Sequence, residues 1–470
     1  MPHYTGELPR SWLIVPLLML YLWDLGGVGF LGPDEPRYAS IGREMARSRD
    51  FVTPRLDGQP WFEKPPLLYW MTAIGRFARL PDEWAARLPV ALLSIVFLIF
   101  FFNILVREFS ARIAIAATTI LAASAGWLAY TFVAVTDLPM SALFWGAMLI
   151  AMFDTRRDQG YFAGILLGLS ALAKGLVPLV LFVPVFLIAR GKRLTMLAGC
   201  LIVAAPWFAL VTLRNGRAPF DELILKHHFE RFFSPSLQHV QPLWYYAPII
   251  LAGLFPWTPL AGVLLNRRTY DDVRVRFLTV WLIYAFVFFS VSTNKLPGYA
   301  LPLIPALAIM IAIGIDKAGA AAKWWLAASV LMLVILPSLV AMLPDALLSG
   351  IRRAPIVVSP GIPFVLAAGL VWWLAWREKP TLAILAAGMT VVFAMAYVKG
   401  SVFPELDQRV SVRGFWRAHR ADVAGACVDN IRRDWEYGLN YYAGRALPAC
   451  SSQQSTRIAQ ENGKLALTTR

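Results

Sequence analysis

The chain has 470 residues, of which 58% are hydrophobic and 16% charged, with a formal net charge of +15. A mean hydropathy of +0.58 excludes a soluble globule, which would have to expose too much apolar surface. The positive charge does not point to nucleic acid, because the basic residues sit in short loops between long apolar runs, as membrane topology requires.

The first apolar run, Ser11–Leu31, is too long for the core of a removable signal peptide and lacks a small-residue cleavage site. It reads as a retained span. The loop that follows, GPDEPRYASIGREMARSRDFVTPRLDGQPWFEKPP from Gly32 to Pro66, is the densest charge cluster outside the C-terminal tail. Charges beside a bilayer are costly unless water, a partner or a ligand receives them, so this loop is a site candidate. Asp34 is predicted as a helix N-cap with Glu35 in the first turn. Tyr38, Ile41 and Met45 recur at helical spacing opposite Arg37, Arg43, Glu44 and Arg47, the pattern of an amphipathic helix in the interface plane. Asp57 and Gly58 mark a hairpin turn, and Pro54 and Pro60 confine any strand to an edge. Leu67, Trp70, Met71, Ile74, Phe77 and Ala78 form the stripe of a second interfacial helix.

Apolar stretches of membrane-crossing length then recur. Their lengths predict about thirteen spans, at 11–31, 84–106, 112–131, 136–153, 160–174, 176–190, 194–213, 243–265, 276–293, 299–315, 323–343, 361–376 and 381–399. The loops carrying Arg107/Arg112, Arg156/Arg157, Arg190/Lys192/Arg193, Arg267/Arg268/Arg274/Arg276, Lys317/Lys323 and Arg377/Lys379 are short and basic, which assigns them to the cytoplasm. The long first loop, Thr131–Asp137, Arg214–Pro242, Ser292–Gly298, Pro344–Pro360 and the tail then share the outer face. From Gly400 the composition turns polar. Ala424–Asp429 and Arg445–Cys450 read as strands and Trp435–Tyr442 as a helical turn. Cys427 and Cys450 both face the oxidising side, where a disulfide is permitted, whereas Cys200 reads as core. The expected organisation is a transmembrane domain over 1–399, with its first outer loop at 32–83, and a small α/β outer segment over 400–470.

The candidate chemistry collects on that outer face. Asp34, the first carboxylate after a span, suits a general base as well as a cap. Arg37, one turn on, can pair with it or hold a phosphate. Lys64 stands between Glu63 and the stiff Pro65–Pro66 pair, a point charge for a phosphate or a snorkelling lysine. Asp137 opens a span in VTDLP as a second catalytic carboxylate or another cap. In KHHFERF, Lys226–Phe232, the adjacent histidines cannot share a helical face, so one of them would join Glu63 on a divalent metal such as zinc, or both form a basic surface. In NKLPGYALP, Asn294–Pro302, Tyr299 and Lys295 suit a phosphate, with an interfacial anchor as the alternative for the tyrosine. Lys174, at an outer span end, either snorkels or faces the same phosphate.

Four runs occur in order: DEPRYA from Asp34, FVTPRL from Phe51, FEKPPL from Phe62 and ARLP from Ala86. Together they resemble the first periplasmic loop of the aminoarabinose transferase family, membrane enzymes of the GT-C fold related to protein O-mannosyltransferases. The resemblance covers most of the membrane portion. It implies an all-α polytopic membrane protein of the bacterial inner membrane with a periplasmic active site. It also implies an inverting transfer from a polyprenyl-phosphate-linked sugar to lipid A or another envelope lipid or glycan. By the same resemblance Asp34 and Lys64 are site residues, His228 is the better metal candidate through a His-x-x-Arg-Phe pattern, and Lys295 and Tyr299 match Lys-Leu-Pro-x-Tyr. The tail is shorter than the family's soluble domain, which leaves the acceptor open. Two other functions compete. A transporter of a lipid-linked sugar needs charges deep in its spans and usually internal repeats, and the predicted spans are poor in charge. A non-catalytic scaffold leaves the paired charges of the first loop without a purpose.

Overall fold

The computed structural model describes residues 11–153, 159–234, 239–423, 425–451, 456–461 and 463–469. The first apolar run is helical over α1 (Ser11–Tyr21) and continues as turns to the first loop. That loop holds α2 (Asp34–Ser48), a hairpin of β1 (Arg55–Leu56) with β2 (Gln59–Pro60), and α3 (Leu67–Phe77). Asp57 and Gly58 close the hairpin with φ values of 52° and 81°, both left-handed, as a two-residue turn requires.

The helices differ from the sequence expectation in instructive ways. Tyr38, Ile41 and Met45 are buried as predicted, but so are Glu35 and Arg37, so α2 is embedded in the protein. Its N-cap is Pro33; Asp34 is the first helical residue and turns its carboxylate to Arg37. On α3, the face formed by Leu68, Tyr69, Thr72 and Ala73 packs inward. The predicted apolar stripe looks outward, with Ile74 63% and Phe77 51% exposed. Exposed aromatic and aliphatic side chains on one stripe are what a helix at a lipid interface presents.

The membrane body follows: α4 (Asp82–Glu108), α5 (Ala111–Ala122), α6 (Ala125–Thr131), α7 (Asp137–Phe153), α8 (Gln159–Lys174), α9 (Val177–Ile188), α10 (Arg193–Asn215), α11 (Val273–Val291), α12 (Leu303–Ala318) and α13 (Pro380–Ser401). Every predicted span coincides with helix, but the count of thirteen is not reproduced. Among the described residues, five helical stretches are long and apolar enough to cross a membrane, or up to seven if each of two bent pairs is one span. The exact count is not confirmed, because Asp137–Phe153, Val177–Ile188 and Pro363–Trp376 are apolar helices shorter than a full span and Leu303–Ser349 runs as one helical stretch through two predicted spans; two further runs are bent. The run 112–131 bends by 59° between α5 and α6, and 243–265 bends by 110° beside Pro256. Gly175 ends α8 with a φ of +72°, at the break expected after Lys174.

Packing is tight where small residues allow it. A methyl on Gly164 would overlap the Met196 carbonyl, and one on Gly199 the Tyr161 carbonyl, so α8 and α10 meet backbone to backbone. Buried tryptophans satisfy their N–H groups across helices: Trp145 donates to Pro302 O at 2.6 Å and Trp281 to Leu181 O at 3.0 Å.

The tail forms its own small core around Val412, Val423, Trp435, Leu439 and Ile458. It contains β3 (Cys427–Asp429), α14 (Arg433–Ala443), β4 (Thr456–Glu461) and β5 (Lys464–Thr469). β4 is the middle strand, parallel to β3 and antiparallel to β5. Cys427 and Cys450 are disulfide-bonded. The strand expected over Arg445–Cys450 is reduced to one bridge between Ala449 and Val428, and the hairpin of β4 and β5 was not foreseen. Arg413 ties the tail to the end of the first apolar run. It donates to Gly26 O and Gly27 O at 2.7 Å each and pairs with Glu83 at 3.2 Å and Asp407 at 2.9 Å.

Candidate active site

Two of the motif runs meet beneath the first loop. Arg87 of ARLP donates from Nε to Glu35 Oε1 of DEPRYA at 2.7 Å, and from its two terminal nitrogens to the carbonyls of Leu25, Val28 and Gly29. Glu35 also accepts from Leu31 N and Ala134 N, both at 2.9 Å. Both side chains are fully buried, and each polar atom finds a partner, which is what makes a buried ion pair tolerable. The pair fixes the start of α2 against α4 and the segment before α7, and thereby places Asp34.

Above that base lies a cavity of about 970 Å³. It is lined by Asp34, Arg37, Glu63, Lys64, Asp137, Lys174 and Tyr299 among others. Arg37 bridges Asp34 at 2.5 Å and Glu63 at 3.0 Å. Burial by itself would lower the Arg37 guanidinium, but the negative charges of Glu63 and Asp34 outweigh it and raise the group above the ordinary arginine value. Lys64 pairs with Glu63 at 3.5 Å. Asp137 pairs with Lys174, whose ammonium lies 4.5 Å from the centre of the Tyr299 ring. Gly298 is small by necessity, since a methyl there would overlap the Asp137 carboxylate and the Tyr130 hydroxyl. The carboxylates differ in reach. The Asp34 side chain is 45% exposed to the cavity, against 11% for Glu63 and 15% for Asp137.

A second, apolar recess of about 250 Å³ adjoins the cavity and shares Lys64, Lys174, His227 and Tyr299 with it. Its other walls are mostly apolar, Met140, Leu176, Val177, Val180 and five phenylalanines, with His228 and Ser292 among them. The cations therefore stand at the mouth of a greasy slot.

Of the residues singled out from sequence, Asp34, Arg37, Glu63, Lys64, Asp137 and Tyr299 come together, and Lys174 joins them. Lys295 does not. Its ammonium donates to Gln241 O at 2.9 Å and Ser292 O at 2.6 Å, which pins a loop, and burial lowers its affinity for a proton. His228 is likewise structural: Nε2 accepts from Leu176 N at 2.9 Å and Nδ1 meets Leu223 O at 2.5 Å. Both ring nitrogens are engaged by backbone in this arrangement, and the ring also lines the recess beside the cavity. Among the described residues no three His, Cys, Asp or Glu side chains form a metal-binding group.

The tail supplies residues that sequence reasoning missed. Arg433 lines the cavity, and the Tyr437 ring lies 5.5 Å from the Arg37 guanidinium. Their helix is clamped to the first loop: Arg43 donates to Tyr441 O at 2.6 Å, Tyr441 donates to Asp82 at 2.9 Å and Tyr442 to Glu83 at 2.7 Å. No local pattern signals a contact between segments so far apart in the chain.

Comparison with known proteins agrees with the motif resemblance. The dolichyl-phosphate-mannose-protein mannosyltransferase family matches residues 63–213. An undecaprenyl phosphate-alpha-4-amino-4-deoxy-L-arabinose arabinosyl transferase of Pectobacterium atrosepticum is 27% identical over 88% of this chain and 79% of its own. The enzyme of the same name from Pseudomonas aeruginosa is 27% identical over 97% and 92%. Among solved structures, ArnT from Cupriavidus metallidurans bound to undecaprenyl phosphate superposes with a TM-score of 0.75 at 23% identity, over 95% of this chain and 87% of that one. That likeness establishes the fold, the largely helical GT-C architecture expected from the motifs.

Proposed function

We propose that the chain is an integral-membrane glycosyltransferase that moves a sugar from a polyprenyl-phosphate donor to a lipid or glycan acceptor at the outer face of the bacterial inner membrane. The observation that carries this reading is the junction of the two recesses. An apolar slot suited to an isoprenoid tail ends at Lys64, Lys174 and Tyr299, and the polar cavity with its carboxylates begins there. The aminoarabinosyl lipid named for the relatives is the first donor to test, and lipid A the first acceptor.

In this arrangement the tail of the donor occupies the slot and its phosphate meets the Lys64 and Lys174 ammonium groups. Cations placed where negative charge develops stabilise the leaving phosphate. Asp34 is the base. It is the most exposed of the three carboxylates flanking that position, so an acceptor hydroxyl can reach it, and Arg37 fixes its orientation. Asp34 takes the hydroxyl proton as the acceptor oxygen bonds to the anomeric carbon. The bond from that carbon to the phosphate oxygen breaks on the opposite side, and polyprenyl phosphate departs. One displacement inverts the anomeric configuration. Asp137, paired with Lys174, holds that lysine beside Tyr299, and Glu63 does the same for Lys64 and Arg37.

The full-length protein in nanodiscs, given a polyprenyl-phosphate sugar and lipid A, should yield a glycosylated acceptor detectable by mass spectrometry. Movement of the donor across sealed vesicles with no covalent product would instead favour a transporter.

A further inference from the structure

Among the described residues no acceptor meets the Tyr130 hydroxyl. Tyr21, Tyr441 and Tyr442 each donate to a protein oxygen, at 2.6, 2.9 and 2.7 Å. Tyr130 is half-buried and lines the polar cavity. Its place is fixed all the same, because α6 is pinned near its start: Ala125 N donates to Phe255 O and Trp127 to Ser94 Oγ, both at 2.8 Å. Across Gly298 the hydroxyl faces Asp137. A methyl on that glycine would stand 2.6 Å from the Tyr130 hydroxyl and 2.3 Å from Asp137 Oδ1. The two oxygens are not bonded to each other. Among the described residues the Asp137 carboxylate accepts only from Lys174, which leaves it acceptor capacity. The gap beside Gly298 therefore lies between a spare donor and a spare acceptor. A phosphate suits it poorly, because its oxygens would meet the carboxylate with like charge. A hydroxyl suits both sides, since it donates and accepts at once. Tyr130, Asp137 and Gly298 line the polar cavity and not the apolar slot.

We infer that Tyr130 and Asp137 hold one hydroxyl of the transferred sugar: Tyr130 donates to its oxygen, and Asp137 accepts its hydrogen. This rests on the transferase reading above. Asp137 then serves twice. It holds Lys174 for the phosphate and takes the sugar hydroxyl beside it, so the two halves of the donor are set in register with each other. A site that hydrogen-bonds a substrate hydroxyl discriminates against a sugar lacking it, because the protein's own polar groups are then left without partners.

The test is Tyr130→Phe in the full-length protein in nanodiscs, a change that removes the hydroxyl and nothing else. The unfolding midpoint should equal that of wild type, since no bond within the protein is lost. Undecaprenyl phosphate, which carries no sugar, should raise the midpoint of both proteins equally. With a polyprenyl-phosphate sugar as donor, kcat/KM should fall by about threefold to tenfold, the range of one neutral hydrogen bond. With donors that each lack one sugar hydroxyl, the two proteins should be alike for one position of the ring and should differ as before for the others. A weaker response of the variant to undecaprenyl phosphate would assign Tyr130 to the phosphate and overturn the inference. A lower midpoint without ligand would make the hydroxyl structural, and a deficit that persists with every deoxygenated donor would leave it without a sugar partner; either overturns it too. If wild type makes no product from any lipid-phosphate sugar, the transferase reading itself falls; if it does and Tyr130→Phe matches it on the complete donor, only the sugar contact falls.

Discussion

Glu35 and Arg87, 52 residues apart in the chain, form an ion pair with side chains 0% and 3% exposed, and it underlies the helix that presents Asp34. Their chemistry does not reach the cavity, yet every residue on α2 depends on them. Arg87→Ala would leave the Glu35 carboxylate buried without its partner and three carbonyls without a donor. Such a loss costs about 3–5 kcal/mol. Thermal unfolding in detergent should show a large fall in midpoint, and recovery by Arg87→Lys should be slight because lysine cannot make the forked contacts. An unaltered midpoint would mean the pair does not hold the loop.

Asp34→Asn tests the base directly. Asparagine preserves size and the contact to Arg37 but cannot take a proton. Transfer should fall by about a hundredfold to ten-thousandfold, with the unfolding midpoint little changed. Retained activity would move the base elsewhere in the cavity.

Gly298→Ala probes the seat of Asp137 without touching a charged group. The added methyl would collide with the Asp137 carboxylate and the Tyr130 hydroxyl. The carboxylate must shift, and Lys174 with it. The expected outcome is a fall in turnover of at least about tenfold, in line with the sensitivity of positioned groups to small displacements. Turnover equal to wild type would show that Asp137 and Lys174 have freedom this packing denies them.

Lys295→Gln separates a loop anchor from a phosphate ligand. The two carbonyls it satisfies, on Gln241 and Ser292, belong to neighbouring segments. Loss of the ammonium should lower the unfolding midpoint while the donor KM stays within about twofold, since the lost contacts are to backbone and each is worth about 1.5–3 kcal/mol. A donor KM raised tenfold at unchanged midpoint would return Lys295 to the site.

The sequence made the first loop legible because its information is local. The Asp57–Gly58 turn, the periodicity of Tyr38, Ile41 and Met45, and the stiff Pro65–Pro66 pair all act within a few residues. Co-location of Asp34, Lys64, Asp137 and Tyr299 was also readable, since loop charge sorts segments by side of the membrane. What failed was anything decided by long-range geometry. Lys295 sits in a recognisable motif, but whether a side chain turns to the cavity or to a carbonyl depends on neighbours that composition does not name. The span count is not confirmed, because apolar composition does not show where a helix is short, bent by 110° or continuous with the next. Arg433 and Tyr437 carried no signal, because the placement of their helix against α2 and α4 is set by the Arg43–Tyr441 and Tyr442–Glu83 contacts.

The lining of the cavity begins at Leu31 and closes only at Arg433. While the ribosome is still at work, a chain already anchored by its first helices therefore has a donor slot with no finished wall opposite. That wall is completed only when α14 has been made and docks, since Arg433 is its last residue in chain order.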